Sequence, residues 1–362
     1  PSPRPRLGAN ASYLDHNVLS HVLQPSSKLV NVGDAAAAVP GSRCFEDEYD
    51  LGEELGRGGF GVVYVAYDKR FGGSYAAKCM FKGFLLQQSS KSLDRVSDEI
   101  RALSALRHPN IIGLHETFET DELLYILMER ADGGELFDRI MTCGAFEEEH
   151  ARHITRQLVG VLSFMHARSV VHRDIKPENL LLMSPSSWDI KVTDFGLIKI
   201  IDEHRFAARE ERTAAGLDSG KLEAVDVHAE VVGRARQATV CGSNTYMAPE
   251  MAWHQAYGPA VDVYSAGVVL YILLSAHPPY DVGQTPHPSS LKPLPMPPQL
   301  FSSVSADAKS LVTRMLEPNP RQRISAGEAL ESSWFDGGDV AAAVGGDGGS
   351  TAAAAGGAAM TA

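Results

Sequence analysis

The chain has 362 residues, 44% of them apolar, and 33 Lys and Arg against 45 Asp and Glu give a net charge of −12. That is enough apolar material for one large or two medium cores. The acidic balance, without a long basic run, argues against nucleic acid as the main partner and suits a basic peptide better.

Four scattered cysteines (Cys44, Cys79, Cys143, Cys241) lack CxxC spacing. They read as reduced thiols rather than a disulfide framework or a zinc site. The longest apolar run, "AGVVLYILLSA" at 266–276, is too short to span a bilayer. The scattered thiols suit an intracellular setting, expected in the cytoplasm; the sequence begins Pro-Ser-Pro without a Met, which leaves targeting open.

In chain order, residues 1–46 carry Pro, Ser and an Ala run with little periodicity, and a flexible arm is expected there. The folded part is expected over 47–336. "FGVVYVAYD" and "SYAAKCMF" are β-rich runs separated by a Gly-Gly turn. "LDRVSDEIRALSAL" then sets Leu93, Val96, Ile100, Leu103 and Leu106 at helical spacing. From about 135 helices dominate, and "AVDVYSAGVVLYILLSA" is apolar nearly all round, which predicts a buried helix. Residues 337–362 hold 18 Ala or Gly among 26, a low-complexity tail with nothing to pack. No internal repeat is visible.

Four places carry chemistry. "LGRGGFGVV" holds Gly56-x-Gly58-x-x-Gly61. A plain hairpin turn and a bare backbone lying over phosphates both fit it. A dinucleotide fingerprint fits less well, because strand-like residues and not a helix follow. Period two puts Ala76 and Lys78 on one strand face, and a lysine there needs an anion. Glu99, beside the apolar stripe of its helix, is the candidate, with an intrahelical pair to Arg95 as the alternative.

"VVHRDIKPENLLL" (170–182) sets His172, Arg173, Asp174, Lys176, Glu178 and Asn179 between two aliphatic blocks, and in "VTDFGL" Asp194 again ends an apolar strand. Asp174, Asn179 and Asp194 are three oxygen donors at strand ends, suited to a hard cation such as Mg²⁺ carrying phosphates. A carboxylate, a cation and a metal-binding carboxylate are what phosphoryl transfer needs.

Together these segments, in this order, resemble the eukaryotic protein kinases over about 47–336. Through "GGELFDRI", "HRDIKPENLLL", "CGSNTYMAPE" and "RISAGEALESSWF" the chain is similar to the calcium/calmodulin-dependent and calcium-dependent Ser/Thr group. The resemblance implies an α+β bilobal fold. A small β-rich lobe with one main helix would cover about 49–130, and a larger, mostly helical lobe about 131–336.

It implies ATP and Mg²⁺ as cofactors and proteins as substrates. Gly56, Gly58 and Gly61 would cover the phosphates, and Lys78 would hold them while pairing with Glu99. Met128 would back the adenine pocket, and Glu129, Arg130 and Ala131 would form the hinge. Leu55, Val63, Ala76 and Leu181 join the ATP-binding set. Asp174 would accept the substrate hydroxyl proton, Lys176 would neutralise the transferring group, and Asn179 and Asp194 would bind the metal. Lys176, two after Asp174, is the Ser/Thr pattern. Glu250 should pair with Arg323, and Asp262 should brace the catalytic loop. Glu135 and Glu178 match positions facing upstream arginines of basophilic substrates, with Glu135 also near the ribose; solvated carboxylates are the plain alternative.

"GRARQATVCGS" puts Arg236 three before Thr239, the position of an activation-loop phosphosite, so autophosphorylation at Thr239 with pairing to Arg173 is expected. The chain departs from the family in two places. Asp194 through Glu250 spans 57 residues, with an insert at about 202–238, and 278–298 carries eight prolines in 21 residues where relatives place a helix.

The sequence holds no EF-hand loop, and no basic amphipathic helix follows Phe335, so calcium or calmodulin regulation finds no support in this chain alone. A monomer is expected. His150 and His153, i and i+3 after three glutamates, read as a solvated helix start rather than a metal pair. The competing function is a catalytically impaired kinase-like scaffold, against which Lys78, Asp174 and Asp194 are all present. A small-molecule phosphotransferase fits less well, because "CGSNTYMAPE" matches the family's peptide-docking segment.

Overall fold

The computed structural model describes residues 43–58, 61–88, 92–200, 245–281, 285–290 and 293–337. Most of the expected arm, the 202–238 insert, Thr239 and the Ala/Gly tail lie outside them, as does "CGSN" at 241–244.

The first lobe is one antiparallel sheet in the order β1-β2-β3-β5-β4. Its strands are β1 (Tyr49–Gly58), β2 (Gly61–Asp68), β3 (Ser74–Phe81), β4 (Leu114–Glu119) and β5 (Leu123–Met128). Strand β5, "LLYILM", lies between β3 and β4 and is buried at all six positions, which explains a strand without polar alternation. Its side chains divide by period two. Tyr125 and Leu127 join Ala77, Cys79, Phe118 and Tyr49 on the outer face. Leu124, Ile126 and Met128 face inward, onto a cluster continuous with the second lobe.

Three helices attend this sheet: α1 (Phe45–Glu48), α2 (Lys82–Gln88) and α3 (Ser92–Ala105). Helix α3 is the amphipathic helix expected from the sequence, and buries Val96, Glu99, Ile100 and Leu103. Helix α2 was not anticipated; it seats Leu85 at 0% exposure. Residues 43–46, which fall in the expected arm, are among the described residues. Phe45 stacks on Tyr125 at 4.2 Å between ring centroids and is 2% exposed, so residues 43–46 belong to the fold.

The second lobe is mainly helical: α4 (Leu136–Cys143), α5 (Glu148–His166), α6 (Pro249–Ala252), α7 (Ala260–Ser275), α8 (Pro298–Phe301), α9 (Ala306–Met315) and α10 (Ala326–Leu330). This is the bilobal α+β fold. Helix α7 is buried from Val261 to Ser275 on every side, as its all-round apolar sequence requires. At Gly267 an added Cβ would come within 2.9 Å of Met315 Cβ, so glycine lets α7 approach α9. A capping box closes α10, with Ser325 and Glu328 exchanging side-chain-to-backbone bonds.

Two small ladders complete the lobe. β6 (Val170–Val171) pairs with β9 (Lys199–Ile200), and β7 (Leu180–Leu182) pairs with β8 (Ile190–Val192). They hold the two ends of the 172–179 loop. In the proline-rich region no described residue is helical before Pro298, as its proline density dictates.

Candidate active site

The sheet register brings one set of site residues together. Gly56 pairs with Val63, Val63 with Lys78, and Lys78 with Ile126, while Ala76 pairs with Met128. Directly opposed residues share a face, so Val63, Ala76, Lys78 and Met128 line the inner surface of the sheet. Leu55 stands beside them at a register irregularity, 46% exposed. Gly61 is required by packing, since a Cβ there would meet the Cys79 carbonyl oxygen at 2.2 Å. Gly56 and Gly58 differ. A Cβ on either would meet no described atom within 4 Å, and neither has positive φ. No contact within the described chain asks for glycine there, whereas a ligand lying against the backbone would.

Lys78 Nζ donates to Glu99 Oε1 at 2.7 Å, joining β3 to α3. Glu99 is 3% exposed, so its charge depends on this partner.

The connection between the lobes is fixed from both sides. Glu129 N–H donates to the Gly113 carbonyl at 2.8 Å, while its carboxylate accepts from Lys191 Nζ at 2.7 Å and from Gly113 N–H at 3.2 Å. Arg130 Nη1 donates to Ser74 Oγ at 3.1 Å. Ala131 follows, and Leu181 bridges to Glu135. Lys191 and Ser74 were not singled out in the sequence, since only the folded chain brings them to the hinge.

The 172–179 loop is held from beneath. Asp262 on α7, 0% exposed, accepts His172 N–H at 2.9 Å and Arg173 N–H at 2.8 Å. His166 Nε2 lies 2.9 Å from the same carboxylate. Burial alone would push the Asp262 carboxyl up. The His166 hydrogen bond and the neighbouring histidines outweigh it and hold the group below its ordinary value. Arg173 (φ 69°) and Asp194 (φ 59°) both adopt left-handed backbone, a strain that surrounding bonds must maintain.

His172 Nε2 faces the Thr193 carbonyl at 3.1 Å, so the ring proton is assigned to Nε2. Its Nδ1 accepts from Asp174 N–H at 3.3 Å, and Phe195 packs edge-on against the ring at 5.0 Å. Arg173, the expected partner of a phosphate on Thr239, here donates to the Leu197 and Ile198 carbonyls and, at 3.4 Å, to the Tyr257 hydroxyl.

Above this base, Lys176 Nζ lies 2.9 Å from Asp174 Oδ2 and 3.1 Å from Oδ1. Asn179 Nδ2 donates to the same carboxylate at 3.0 Å and to the Asp174 carbonyl at 2.7 Å. Both amide N–H bonds are thereby used, which leaves the Asn179 carbonyl oxygen as its acceptor for a cation. Thr193 N–H, one residue before Asp194, donates to the backbone carbonyl of Asn179 at 3.0 Å, so the segments carrying the two expected metal ligands are joined by a backbone hydrogen bond.

No group of three or more His, Cys, Asp or Glu side chains among the described residues is arranged to hold a metal ion. Two oxygen donors fit a Mg²⁺ that takes its remaining ligands from phosphates and water. His150 stacks on Trp188 at 4.2 Å and His153 lies 2.8 Å from Asp189, so neither histidine faces the other.

Two carboxylates, one in the loop and one beside it, have raised pKa values. Burial lifts Glu178, and its Oε2 is buried without a hydrogen-bond partner among the described residues. Desolvation, reinforced by Asp138 and Glu178, lifts Glu135.

Further out, Arg323 makes two bonds to Glu250, at 2.7 and 2.9 Å, with both side chains at 0% exposure. This pair ties the 245–250 segment to the base of the lobe.

Comparison with known proteins matches the protein kinase domain family to residues 49–335. The chain belongs to the protein kinase family. Within it, the chain is 39% identical over 292 residues to calcium-dependent protein kinase 29 of Arabidopsis thaliana, covering 79% of this chain and 48% of that one. It is 35% identical over 290 residues to CBL-interacting protein kinase 9 of Oryza sativa subsp. japonica (79% and 56%). It is 33% identical over 296 residues to the probable serine/threonine-protein kinase fhkC of Dictyostelium discoideum (80% and 44%). The chain therefore spans about half the length of these curated relatives. No helix among the described residues is long and apolar enough to cross a membrane.

Proposed function

We propose that this kinase domain transfers the γ-phosphoryl group of ATP to serine or threonine hydroxyls of protein substrates, preferring arginine upstream of the acceptor. The observation that carries the reading is the Asp174–Lys176–Asn179 cluster, in which one carboxylate is oriented by a cation and an amide on the same loop. A carboxylate in that setting takes a hydroxyl proton, and the ammonium beside it meets the charge of the transferring group.

Each residue has its part. Lys78, steadied by Glu99, holds the α- and β-phosphates beneath the glycine backbone of β1 and β2. Asp174 orients the substrate hydroxyl. Its oxygen forms the bond to the γ-phosphorus as the bond to the bridging β,γ oxygen breaks, and the hydroxyl proton goes to the Asp174 carboxylate. ADP leaves with the electron pair of the broken bond. Lys176 neutralises the equatorial oxygens during transfer. Asn179 and Asp194 would hold Mg²⁺, which supplies charge neutralisation of the phosphates.

The substrate preference is supported by Glu178. A buried carboxylate oxygen without a partner is costly, and an arginine side chain would relieve that cost with a charge-assisted bond. Two peptides differing only in an Arg-to-Ala change upstream of the acceptor test this. The parent chain should favour the arginine peptide by about 10–100-fold in kcat/KM, and Glu178→Gln should remove most of that ratio. Equal rates on both peptides with the parent chain would discard the preference.

A further inference from the structure

Six residues, Pro293-Leu294-Pro295-Met296-Pro297-Pro298, cross the second lobe as an irregular segment that ends in α8. Every residue from 293 to 297 is either a proline or the residue before one. Ring closure fixes φ in the first case, and the following ring excludes helical backbone in the second, so the segment is confined to extended or polyproline conformation. Pro297, with φ −57° and ψ 132°, shows that geometry directly.

The side chains sort by accessibility. Leu294 and Met296 turn inward and pack on the large-lobe core, as does Leu300 just beyond. Pro293, Pro295, Pro297 and Pro298 are exposed. The backbone is pinned as well. Tyr271 on α7 donates its hydroxyl to the Pro295 carbonyl at 2.7 Å, and Phe301, 1% exposed, lies 4.9 Å from the same ring. Upstream, His287 packs edge-on against Trp253 at 4.8 Å, which places this region beside the turn that follows α6.

We infer that residues 293–298 form a docking ridge for a partner domain that reads polyproline through an aromatic-lined groove. The chemistry selects this occupant. Four of the six residues have no backbone N–H, so the ridge offers little to a partner that pairs strands. It presents exposed proline rings, which is what such grooves grip, while the carbonyls of Pro295, Pro297 and Pro298 are held within the chain; Pro295-Met296-Pro297-Pro298 has the PxxP spacing such grooves read, its last proline opening α8. In an unstructured tail a PxxP segment must be ordered when it binds. Here ring closure and the inward anchors have already ordered it, which favours affinity. The ridge takes no part in phosphoryl transfer and would bring a substrate or regulator alongside the kinase domain.

The test uses the full chain against purified recombinant SH3, WW and EVH1 domains, read by fluorescence anisotropy, with a synthetic peptide covering 290–301 as competitor. Binding to at least one domain type is expected, displaced by the peptide. Pro295→Ala with Pro298→Ala should weaken it about tenfold or more. The double variant should keep its melting temperature and its kinase rate on a short peptide, and the competition arm holds even if that variant fails to fold. Three outcomes would each overturn the inference: no binding to any domain type, binding that the peptide does not displace, or domains that bind the peptide but not the folded chain.

Discussion

The carboxylate of Asp262 accepts the backbone N–H of Arg173 at 2.8 Å, and Arg173 is one of five non-glycine residues with positive φ among the described residues. A rigid, buried helix thus holds the strained turn that precedes Asp174. Asp262→Ala would leave two backbone donors and His166 without their acceptor, in a setting that is 0% exposed. The expected loss is about 3–5 kcal/mol of unfolding free energy, since a buried network stripped of its anion keeps the desolvation cost. Asp262→Asn retains one acceptor oxygen and should lose about 1–3 kcal/mol. Urea unfolding of both variants checks the order, and equal stability of all three chains would refute it.

The pH dependence has two opposite parts. Asp262 is held below its ordinary 3.8, so its stabilisation is fully present above that value and is lost as pH falls through the lower folded value. Glu135 and Glu178 are held above 4.5. Their effect on the fold is most favourable below 4.5 and declines as pH rises through their folded values, where each must carry a charge in a poorly solvated place. Discrimination between arginine and alanine peptides should therefore shrink as pH is lowered into the window just above 4.5. Glu178→Gln should flatten that profile. A discrimination ratio independent of pH in the parent chain would contradict this assignment.

The Lys78–Glu99 pair predicts a specific kinetic signature. Glu99→Gln keeps the shape and removes the charge that Lys78 Nζ bonds at 2.7 Å. Breaking a buried pair at one end costs about 3–5 kcal/mol; where that cost falls on ATP binding and transfer, kcat/KM for ATP should fall by roughly two to four orders of magnitude. Steady-state kinetics at varied ATP decide it; an unchanged kcat/KM would make the pair structural only.

At the hinge, Lys191→Met should remove the charge-assisted bond to Glu129, worth about 1.5–3 kcal/mol. KM for ATP is expected to rise several-fold with a smaller change in kcat, because the bond positions the connection between the lobes and not the reacting atoms. The same measurement would reject the idea if kcat fell while KM stayed constant.

Much of this architecture could be read from the sequence wherever periodicity alone decides burial. The continuous apolar run of α7 and the Val96–Ile100–Leu103 stripe of α3 left few alternatives. The Lys78–Glu99 pair was also legible, because a lysine on a buried strand face must find an anion. Contacts that depend on distant segments meeting were not legible. Helix α2 follows a strand directly and buries Leu85 under α3; Phe45 looked like part of a featureless arm until Tyr125 supplied its stacking partner. His166 and Lys191 carry no local pattern, and their roles emerge only when α7 and the hinge come to rest beside them.

The most direct test of the central claim is γ-phosphoryl transfer from ³²P-labelled Mg·ATP to an Arg-x-x-Ser peptide by the full chain, beside Asp174→Asn and Asp194→Ala. The account predicts transfer by the parent chain, a loss of about 10²–10⁴-fold with Asp174→Asn, and no detectable transfer with Asp194→Ala. Both variants should keep the parent's far-UV circular-dichroism spectrum, which separates lost chemistry from a lost fold. Transfer that survives Asp174→Asn undiminished would contradict the assigned mechanism, and no transfer by a parent chain that binds Mg·ATP would contradict the kinase reading itself.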